Sequence, residues 1–516
     1  MKENPLVLTL DFGTQSVRTA LINKSGEIVY LSKKAYKPVS FALKTGYAEQ
    51  FADFYWDNLI ECLKKLSKES LENLNDIIAM TVTTFRDSAV LLDENNMPLR
   101  PIILWMDQRL AKAEEKLPKM HRFLFKLVGM TDAIDMNRTR TAAHWIKENE
   151  PEIWAKTKKY VNISTYINYR LTGELADSPG GLTGHYPLNY KKSEWYKEGA
   201  MKGRIFGIPN RMLPKVVKPG EVIGRLTDEI AKECGLPRGI KLIATGSDKG
   251  CETVGLGCLT PDIGAISYGT ACTIEVSNPK YHEPERFLPA YAAAVPGLYN
   301  MDVQIYRGYW MLRWFASEFA SELEKEAKEK ELPIEAILDQ WLNDVPVGSD
   351  GLILQPYWGP GLARPLAKGA IVGFSSVHTR KHIYRAIVEG IAFALREGLE
   401  SIERSQKQKV KSLRISGGGS LSDEVCQITA DIFGLEIARV QTIESTSLGA
   451  ALATFTAVGE FPTIHDAVAS MTNISKVFKP NLENTKRYNQ IYKEIYLKVY
   501  PRLNPLNRLI NKLFKR

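Results

Sequence analysis

The stretch "LTLDFGTQSV", residues 8–17, constrains the fold of this chain more than any other. A short apolar strand runs into Asp11 and then breaks into a small polar turn. The turn consists of Gly13, Thr14, Gln15 and Ser16. An Asp-Phe-Gly also holds magnesium in protein kinases, but there it follows a Gly-rich loop and a His-Arg-Asp loop. Only ten residues precede Asp11, so this chain does not have that fold.

The same arrangement returns about half the chain later. "GAISYGTACTIEVSN", residues 264–278, again joins two apolar strands through a turn, here with Gly269 and Thr270. The repetition predicts two domains that each open with a hairpin, with both turns facing a shared cleft and a boundary near residues 257–262. Because Gly-Thr turns are common in hairpins, two unrelated turns stay open as the alternative.

The turn at residues 13–16 has the chemistry of an anion site. Glycine lets a ligand approach the backbone closely, and consecutive N–H groups form a nest for phosphate oxygens. Arg18 follows two residues later and can reach the same oxygens. A phosphate beside Asp11 requires a cation between them, which favours hydrated Mg²⁺. A simple turn-capping role for Asp11 is the alternative.

A third glycine segment lies in "LRISGGGSLSDEVCQITADIFG". A strand enters Gly417, Gly418 and Gly419, and a helix follows with Ser422 near its start. Backbone without side chains offers a flat surface for an adenine ring or a phosphate. A tight turn without a ligand is the alternative.

Composition limits the function classes. The 516 residues are 44% hydrophobic and 25% charged, which is ordinary for a soluble protein of two or three domains. We expect a cytoplasmic protein, since no long apolar run or signal peptide occurs and the six cysteines form no Cys-x-x-Cys pair. The net charge of +9 is scattered, which argues against nucleic acid and suits phosphorylated metabolites. We expect no membrane contact, although the basic end "NPLNRLINKLFKR" leaves a membrane surface or a partner subunit open, including a homodimer.

These stretches together resemble the FGGY family of carbohydrate kinases, relatives of glycerol kinase and xylulokinase in the actin-like ATPase superfamily. The resemblance also rests on "TGYAEQ", "PIILWMDQR", "YRLTGELAD", "TGSDKG", "GLARPLAKGAIVGF" and "ESTSLGAALATFTAVG", in the family's order. It implies an α/β protein of two actin-like (ribonuclease H-like) domains, with mixed β-sheets flanked by helices around a central ATP and sugar cleft. The implied domains are 1–257 with the first phosphate loop and the sugar site, 258–460 with the second phosphate loop and the adenosine platform, and a helical tail at 461–516.

The resemblance also implies roles for single residues. The Gly-Thr turns would bind the phosphates of ATP, and Gly418 and Ser422 would contact the nucleoside. Asp248, in "TGSDKG", would be the catalytic base and would share Mg²⁺ with Asp11. From the residues alone, "KLIATGSD" reads as a strand that delivers a carboxylate, with Asp248 as the N-cap of the next helix as the alternative.

The acceptor site departs from its relatives. Arg86 and Asp87 follow the strand "AMTVTTF" and could pair with vicinal hydroxyls. Glycerol kinases carry Arg-Glu here and xylulokinases Met-His. Asn137 stands where glycerol kinases have an aromatic residue, and Thr165 where relatives usually place Asp. We therefore expect a larger polyol or ketose, and a rearranged buried hydrogen bond at Thr165. A surface ion pair of Arg86 with Asp87 is the alternative.

Two function classes remain at this point. The first is an ATP-dependent carbohydrate kinase, with glycerol kinase or xylulokinase proper as the alternative within that class. The second is a non-enzymatic, actin-like or chaperone-like nucleotide switch. A switch has no use for Arg86, Asp87 and Asp248, so these residues favour the kinase.

Overall fold

Two β-sheets, one from each half of the chain, form the framework. The computed structural model describes residues 4–285, 288–359, 361 and 364–514. Across the first sheet the strands are Val222–Arg225, Lys241–Ile243, Ile77–Thr84, Leu6–Phe12, Ser16–Ile22 and Ile28–Ala35. Across the second they are Tyr291–Ala292, Tyr299–Ile305, Cys272–Asn278, Ile263–Tyr268, Ser412–Ser416, Glu436–Val440 and Ile474–Phe478.

The two sheets share the order of five strands and all their strand directions. Each begins with an antiparallel three-stranded meander, whose first strand pairs in parallel with a later strand, and that strand pairs in parallel with another. An antiparallel strand closes the edge in both. The similarity of the two hairpins in sequence therefore extends to five strands of each sheet. The closing strand differs, because Val222–Arg225 precedes its neighbour in the chain and Ile474–Phe478 follows its neighbour, and the second sheet has the additional strand Tyr291–Ala292.

Helices cover both sheets, which explains why the central strands are apolar along most of their length. In the first half the α-helices are Ala52–Glu69, Lys119–Leu127, Thr131–Arg140, Ala142–Asn149, Pro151–Lys156, Ile163–Thr172, Asp228–Cys234 and Asp248–Gly255. In the second half they are Trp310–Phe319, Leu323–Glu329, Ile334–Leu338, Arg380–Gln406, Asp423–Phe433, Ser445–Ala457, Ile464–Met471, Leu482–Ile491 and Leu497–Leu513.

Three smaller strand pairs and one four-stranded sheet lie outside the two main sheets. The four-stranded sheet has the order Glu49–Gln50, Ile102–Ile103, Ala89–Leu92 and Lys159–Asn162. The pairs are Leu188–Asn189 with Glu194–Trp195, Lys215–Val216 with Ala176–Asp177, and Ile353–Gln355 with Ala370–Val372.

Two helices from different halves touch backbone to backbone beneath the cleft. A Cβ atom on Gly449 would lie 1.8 Å from the carbonyl oxygen of Cys251, and one on Gly255 would lie 1.9 Å from that of Ser445. The helices Asp248–Gly255 and Ser445–Ala457 therefore approach as closely as they do because glycine occupies both contact points. The apolar residues around them form a core shared with the first sheet.

The segment 461–516 differs from the expected helical tail. It contributes the strand Ile474–Phe478 to the second sheet before its last helices begin. A run of aromatic side chains then packs onto the second core, including Tyr488, Tyr492 and Tyr496. The short segment "ISKVF" lies at the edge of the sheet, with four of its five residues exposed, so its sequence shows no alternation of apolar and polar residues.

Candidate active site

Both Gly-Thr turns and the glycine segment line one large cleft. The cleft has a volume of about 2330 Å³ and opens between the two halves. The predicted site residues that line it are Asp11, Gly13, Thr14, Gln15, Ser16, Arg18, Arg86, Asp87, Asn137, Asp248, Gly269, Thr270, Gly417 and Gly418. Ser422 is not among the lining residues.

Asp11 is a buried carboxylate near the end of the first strand of the hairpin. It lies inside Leu6–Phe12 and directly opposite Arg18 in the hairpin, so it is not a turn cap. Arg18 Nη1 lies 3.2 Å from Asp11 Oδ2, and its Nε lies 2.9 Å from Oε2 of Glu444. Burial raises the pKa of Asp11 to about 7; Arg18 opposes this shift, and the Asp248 and Glu444 carboxylates add to it.

Asp248 is the first residue of the helix Asp248–Gly255, and it lines the cleft. The N-cap of that helix is Ser247, whose side chain accepts from the backbone of Gly250, so the alternative of Asp248 as the N-cap is wrong. Asp248 Oδ1 accepts from the backbone N–H of Lys249 at 2.8 Å. Burial raises its pKa, against the neighbouring charges of Lys249 and Arg86. The negative charge of Asp248 raises the pKa of Asp11, so the two carboxylates repel each other when both are ionised.

Behind the second Gly-Thr turn lies a network that the sequence reasoning missed. Lys249 Nζ lies 2.8 Å from Oε2 of Glu252 and donates to Ser267 Oγ at 2.5 Å. Ser267 and Ser416 also donate to Glu252. Burial opposes it, but Lys249 and these hydrogen bonds hold the pKa of Glu252 below its usual range. Lys249 and Glu252 are three residues apart on a helix, a spacing that sequence reasoning can recognise.

The first turn is fixed by partners from both halves. Trp105 Nε1 donates to Thr14 Oγ1 at 3.2 Å, and Arg313 Nη1 donates to Gln15 Oε1 at 3.3 Å. Arg313 belongs to the second half, so the turn already contacts both sides of the cleft.

The glycine segment has one open position between two crowded ones. Gly417 has a φ of 84° and no room for a Cβ beside the Tyr268 backbone, and a Cβ on Gly419 would lie 2.2 Å from the Tyr309 ring. A Cβ on Gly418 would meet nothing within 4 Å. Ser422 instead caps the helix Asp423–Phe433 by accepting from Val425 N.

Arg86 does not pair with its neighbour Asp87. Its Nη1 donates to Asp302, its Nη2 lies 3.3 Å from Glu275 Oε1, and its Nε donates to Ser247 Oγ at 3.0 Å. The expected alternative of a surface ion pair between Arg86 and Asp87 is therefore wrong. Glu275 and Asp302 lie on strands of the second half, so this ion pair joins the halves across the cleft.

Asp87 binds His185, a residue for which no sequence motif predicts a role. The Asp87 carboxylate lies 2.6 Å from His185 Nδ1 and accepts from the His185 backbone N–H at 2.8 Å. Burial works against it, but His185 and these hydrogen bonds lower the pKa of Asp87. The backbone of Asp87 is in the left-handed region, with a φ of 55°, which turns its side chain away from Arg86.

Asn137 and Thr165, the two residues that depart from the pattern of the relatives, both form hydrogen bonds within the protein. Asn137 lies on the helix Thr131–Arg140, lines the cleft and donates from Nδ2 to the carbonyl of Ala133. Thr165 is buried and donates to Asp177 Oδ2 at 2.8 Å. The Thr165 hydroxyl therefore takes part in a hydrogen bond with a carboxylate that comes from another segment.

The residues around Asp11 and Asp248 fit a magnesium ion. Within the described residues no group of three or more His, Cys, Asp or Glu side chains is arranged to hold a metal. Two mutually repelling carboxylates are what Mg²⁺ uses when phosphate oxygens and water complete its shell. Burial is the main cause of the raised pKa of Asp11, and the charge of Asp248 adds to it, so a cation bound between the two carboxylates would favour the ionised form of Asp11.

Comparison with known proteins shows the family to which the chain belongs. The sequence model of the FGGY N-terminal domain matches residues 6–255, and that of the C-terminal domain matches residues 264–458. The chain belongs to the FGGY family of carbohydrate kinases, and the protein is a carbohydrate kinase.

The chain is similar to kinases that are named for different substrates. It is 29% identical to a xylulose kinase of Lactococcus lactis over 94% of this chain and 95% of that protein. A gluconate kinase structure from Lactobacillus acidophilus superposes with a TM-score of 0.81 at 22% identity, covering 97% of this chain and 98% of the other. A Plasmodium falciparum glycerol kinase with ADP gives 0.74 at 18%, covering 96% and 98%. Both structures establish the fold alone. None of the described helices has the length and apolar character to cross a membrane.

Proposed function

We propose that the protein transfers the γ-phosphoryl group of ATP to a hydroxyl group of a small sugar or polyol, with Asp248 as the base. One observation carries the proposal: Asp11 and Asp248, which come from different elements, face one cleft that both Gly-Thr turns also line. Phosphoryl transfer depends mainly on positioning and charge neutralisation, and this arrangement supplies both.

In this mechanism the two Gly-Thr turns hold the phosphates of ATP. Asp248 accepts the proton of the acceptor hydroxyl, whose oxygen forms the new bond to the γ-phosphorus. The bond between the γ-phosphorus and the bridging oxygen breaks, and ADP leaves. Mg²⁺ held by Asp11 and Asp248 would neutralise phosphate charge. A cytoplasmic location, where ATP is supplied, belongs to this proposal.

Arg86 would position the acceptor from a fixed orientation. Three of its five N–H groups are taken by protein partners, which leaves two for a substrate hydroxyl. Asp87, held by His185, would accept from a second hydroxyl. Gly417 and Gly418 would lie against the nucleoside, and Ser422 would act on it through the helix that it caps.

The substitution Asp248→Asn tests the assignment. We expect it to keep the fold and to lose about 10²–10⁴-fold in kcat, because general bases contribute that much. Asp228→Asn is a matched control, since Asp228 also follows a capping residue at the start of a helix but is exposed. The assay is ADP release over polyols, ketoses, deoxy sugars and sugar acids. A near-normal kcat in Asp248→Asn refutes the role of the base.

The same screen separates the kinase from a nucleotide switch. A switch predicts that no acceptor raises ADP release above the rate with water alone. The kinase predicts that at least one acceptor raises it, and that the increase disappears in Asp248→Asn.

A further inference from the structure

Within the described part of the chain, one arginine on the acceptor side of the cleft forms neither a hydrogen bond nor an ion pair with its side chain. Arg140 is the last residue of the helix Thr131–Arg140 and lines the cleft one turn after Asn137. Among the described residues no hydrogen bond or ion pair involves its side chain. The guanidinium therefore has all five N–H donors available to a ligand.

The other arginines of the cleft are already engaged. Arg18, Arg86, Arg109 and Arg313 each pair with a carboxylate, and Arg307 lies over the ring of Trp310. Among the described arginines that line the cleft, Arg140 is thus the exception.

Arg140 lies on the acceptor side of the cleft, because it shares a helix with Asn137 and both residues line the cleft. Burial lowers the pKa of its guanidinium, while Tyr306 and Asp87 act in the opposite direction. Asp87 is too far from Arg140 to form an ion pair with it and is held by His185. A partly buried guanidinium without a counter-charge is unfavourable, and an anionic ligand would remove this cost.

We propose, building on the kinase function above, that the acceptor is a sugar acid whose carboxylate binds to the guanidinium of Arg140. Planar guanidinium and carboxylate groups match in a bidentate pair. A phosphate group is the less favourable anion, because Asp87 would repel its second negative charge. The hydroxyls further along the acid would then reach Arg86, Asp87 and the base Asp248.

The test compares acids with alcohols of the same carbon skeleton. Gluconate is paired with glucitol, and xylonate with xylitol, in the ADP-release assay; glucitol 6-phosphate is a third arm. We expect the wild-type kcat/KM for an acid to exceed that for its matched alcohol at least ~10-fold. Equal use of the alcohol, or better use of the phosphate, overturns the proposal without any variant.

Variants then assign the effect to Arg140. Arg140→Gln should lower kcat/KM for the acid by about 10- to 100-fold and change that for the alcohol less than ~2-fold. Arg140→Lys should recover part of the loss, since it restores the charge but not the bidentate geometry. Arg211→Gln, an exposed arginine outside the cleft, should change neither value. An equal loss for acid and alcohol in Arg140→Gln contradicts carboxylate recognition.

The outcomes keep the two proposals apart. If neutral acceptors stimulate ADP release and acids do not, the kinase function stands and the role of Arg140 falls. If no acceptor of any kind stimulates it, both fall together.

Discussion

The contact between Gly449 and the helix Asp248–Gly255 offers the sharpest test of how the fold positions the site. In Gly449→Ala the new Cβ would lie 1.8 Å from the Cys251 carbonyl oxygen and 2.5 Å from the Gly255 nitrogen. Ordinary contacts begin at 3.4 Å, so the helices must separate by roughly 1.6 Å, because a backbone cannot rotate aside as a side chain can.

The cost follows from two opposing effects. Overpacking in a tight core costs about 1–3 kcal/mol, and a backbone clash belongs at the upper end. Replacing glycine by alanine inside a helix stabilises the folded state by about 1 kcal/mol. We therefore expect a net loss of about 2 kcal/mol in the free energy of unfolding. Because Asp248 and Glu444 lie at the starts of the two helices, a displacement near 1 Å should also lower kcat by about 10²-fold.

Thermal unfolding and ADP release measure both effects. The control is Gly250→Ala in the same helix, where the new Cβ would have its nearest neighbour at 3.7 Å; this variant should be at least as stable as wild type. If Gly449→Ala unfolds at the wild-type temperature with wild-type kcat, the close contact is not what positions the base.

Two further predictions concern the nucleotide and the metal. Gly418→Ala should leave thermal stability unchanged, since its Cβ meets nothing within 4 Å, but should raise the KM for ATP by about 10-fold through a clash with the bound nucleoside; an unchanged KM contradicts the platform. Asp11→Asn should flatten the pH dependence of stability measured without Mg²⁺ and nucleotide. Because the pKa of Asp11 is raised to about 7, the folded wild type keeps a proton that the unfolded chain releases near pH 4, and it loses stability as pH rises from 4 to 7. Parallel melting profiles of the two proteins over that range refute this reading.

Local features of the site could be predicted from the sequence. The strand that ends at Asp11, its Gly-Thr turn and the glycine segment depend on a few neighbouring residues, and the hairpin register alone places Arg18 opposite Asp11. The two hairpins predicted from the repeated Gly-Thr turn are both present, and each belongs to one of the two main sheets.

Long-range partners could not be predicted in this way. Arg86 finds Glu275 and Asp302 in the other half of the chain, and Asp87 finds His185 about a hundred residues away. These pairs depend on how the two sheets are packed, and a single sequence carries no signal for that.

The glycine contact between the two helices also limits how the two halves can move. No layer of side chains separates the backbones, so sliding would bring larger residues into the contact, and we expect the halves to move by rotation about it. A rotation there would move the rim of the cleft most, while Asp248 and Glu444, close to the axis, would hardly shift. Such a rotation would open the cleft for ligands to enter and leave while the distances between the reacting groups stay nearly constant.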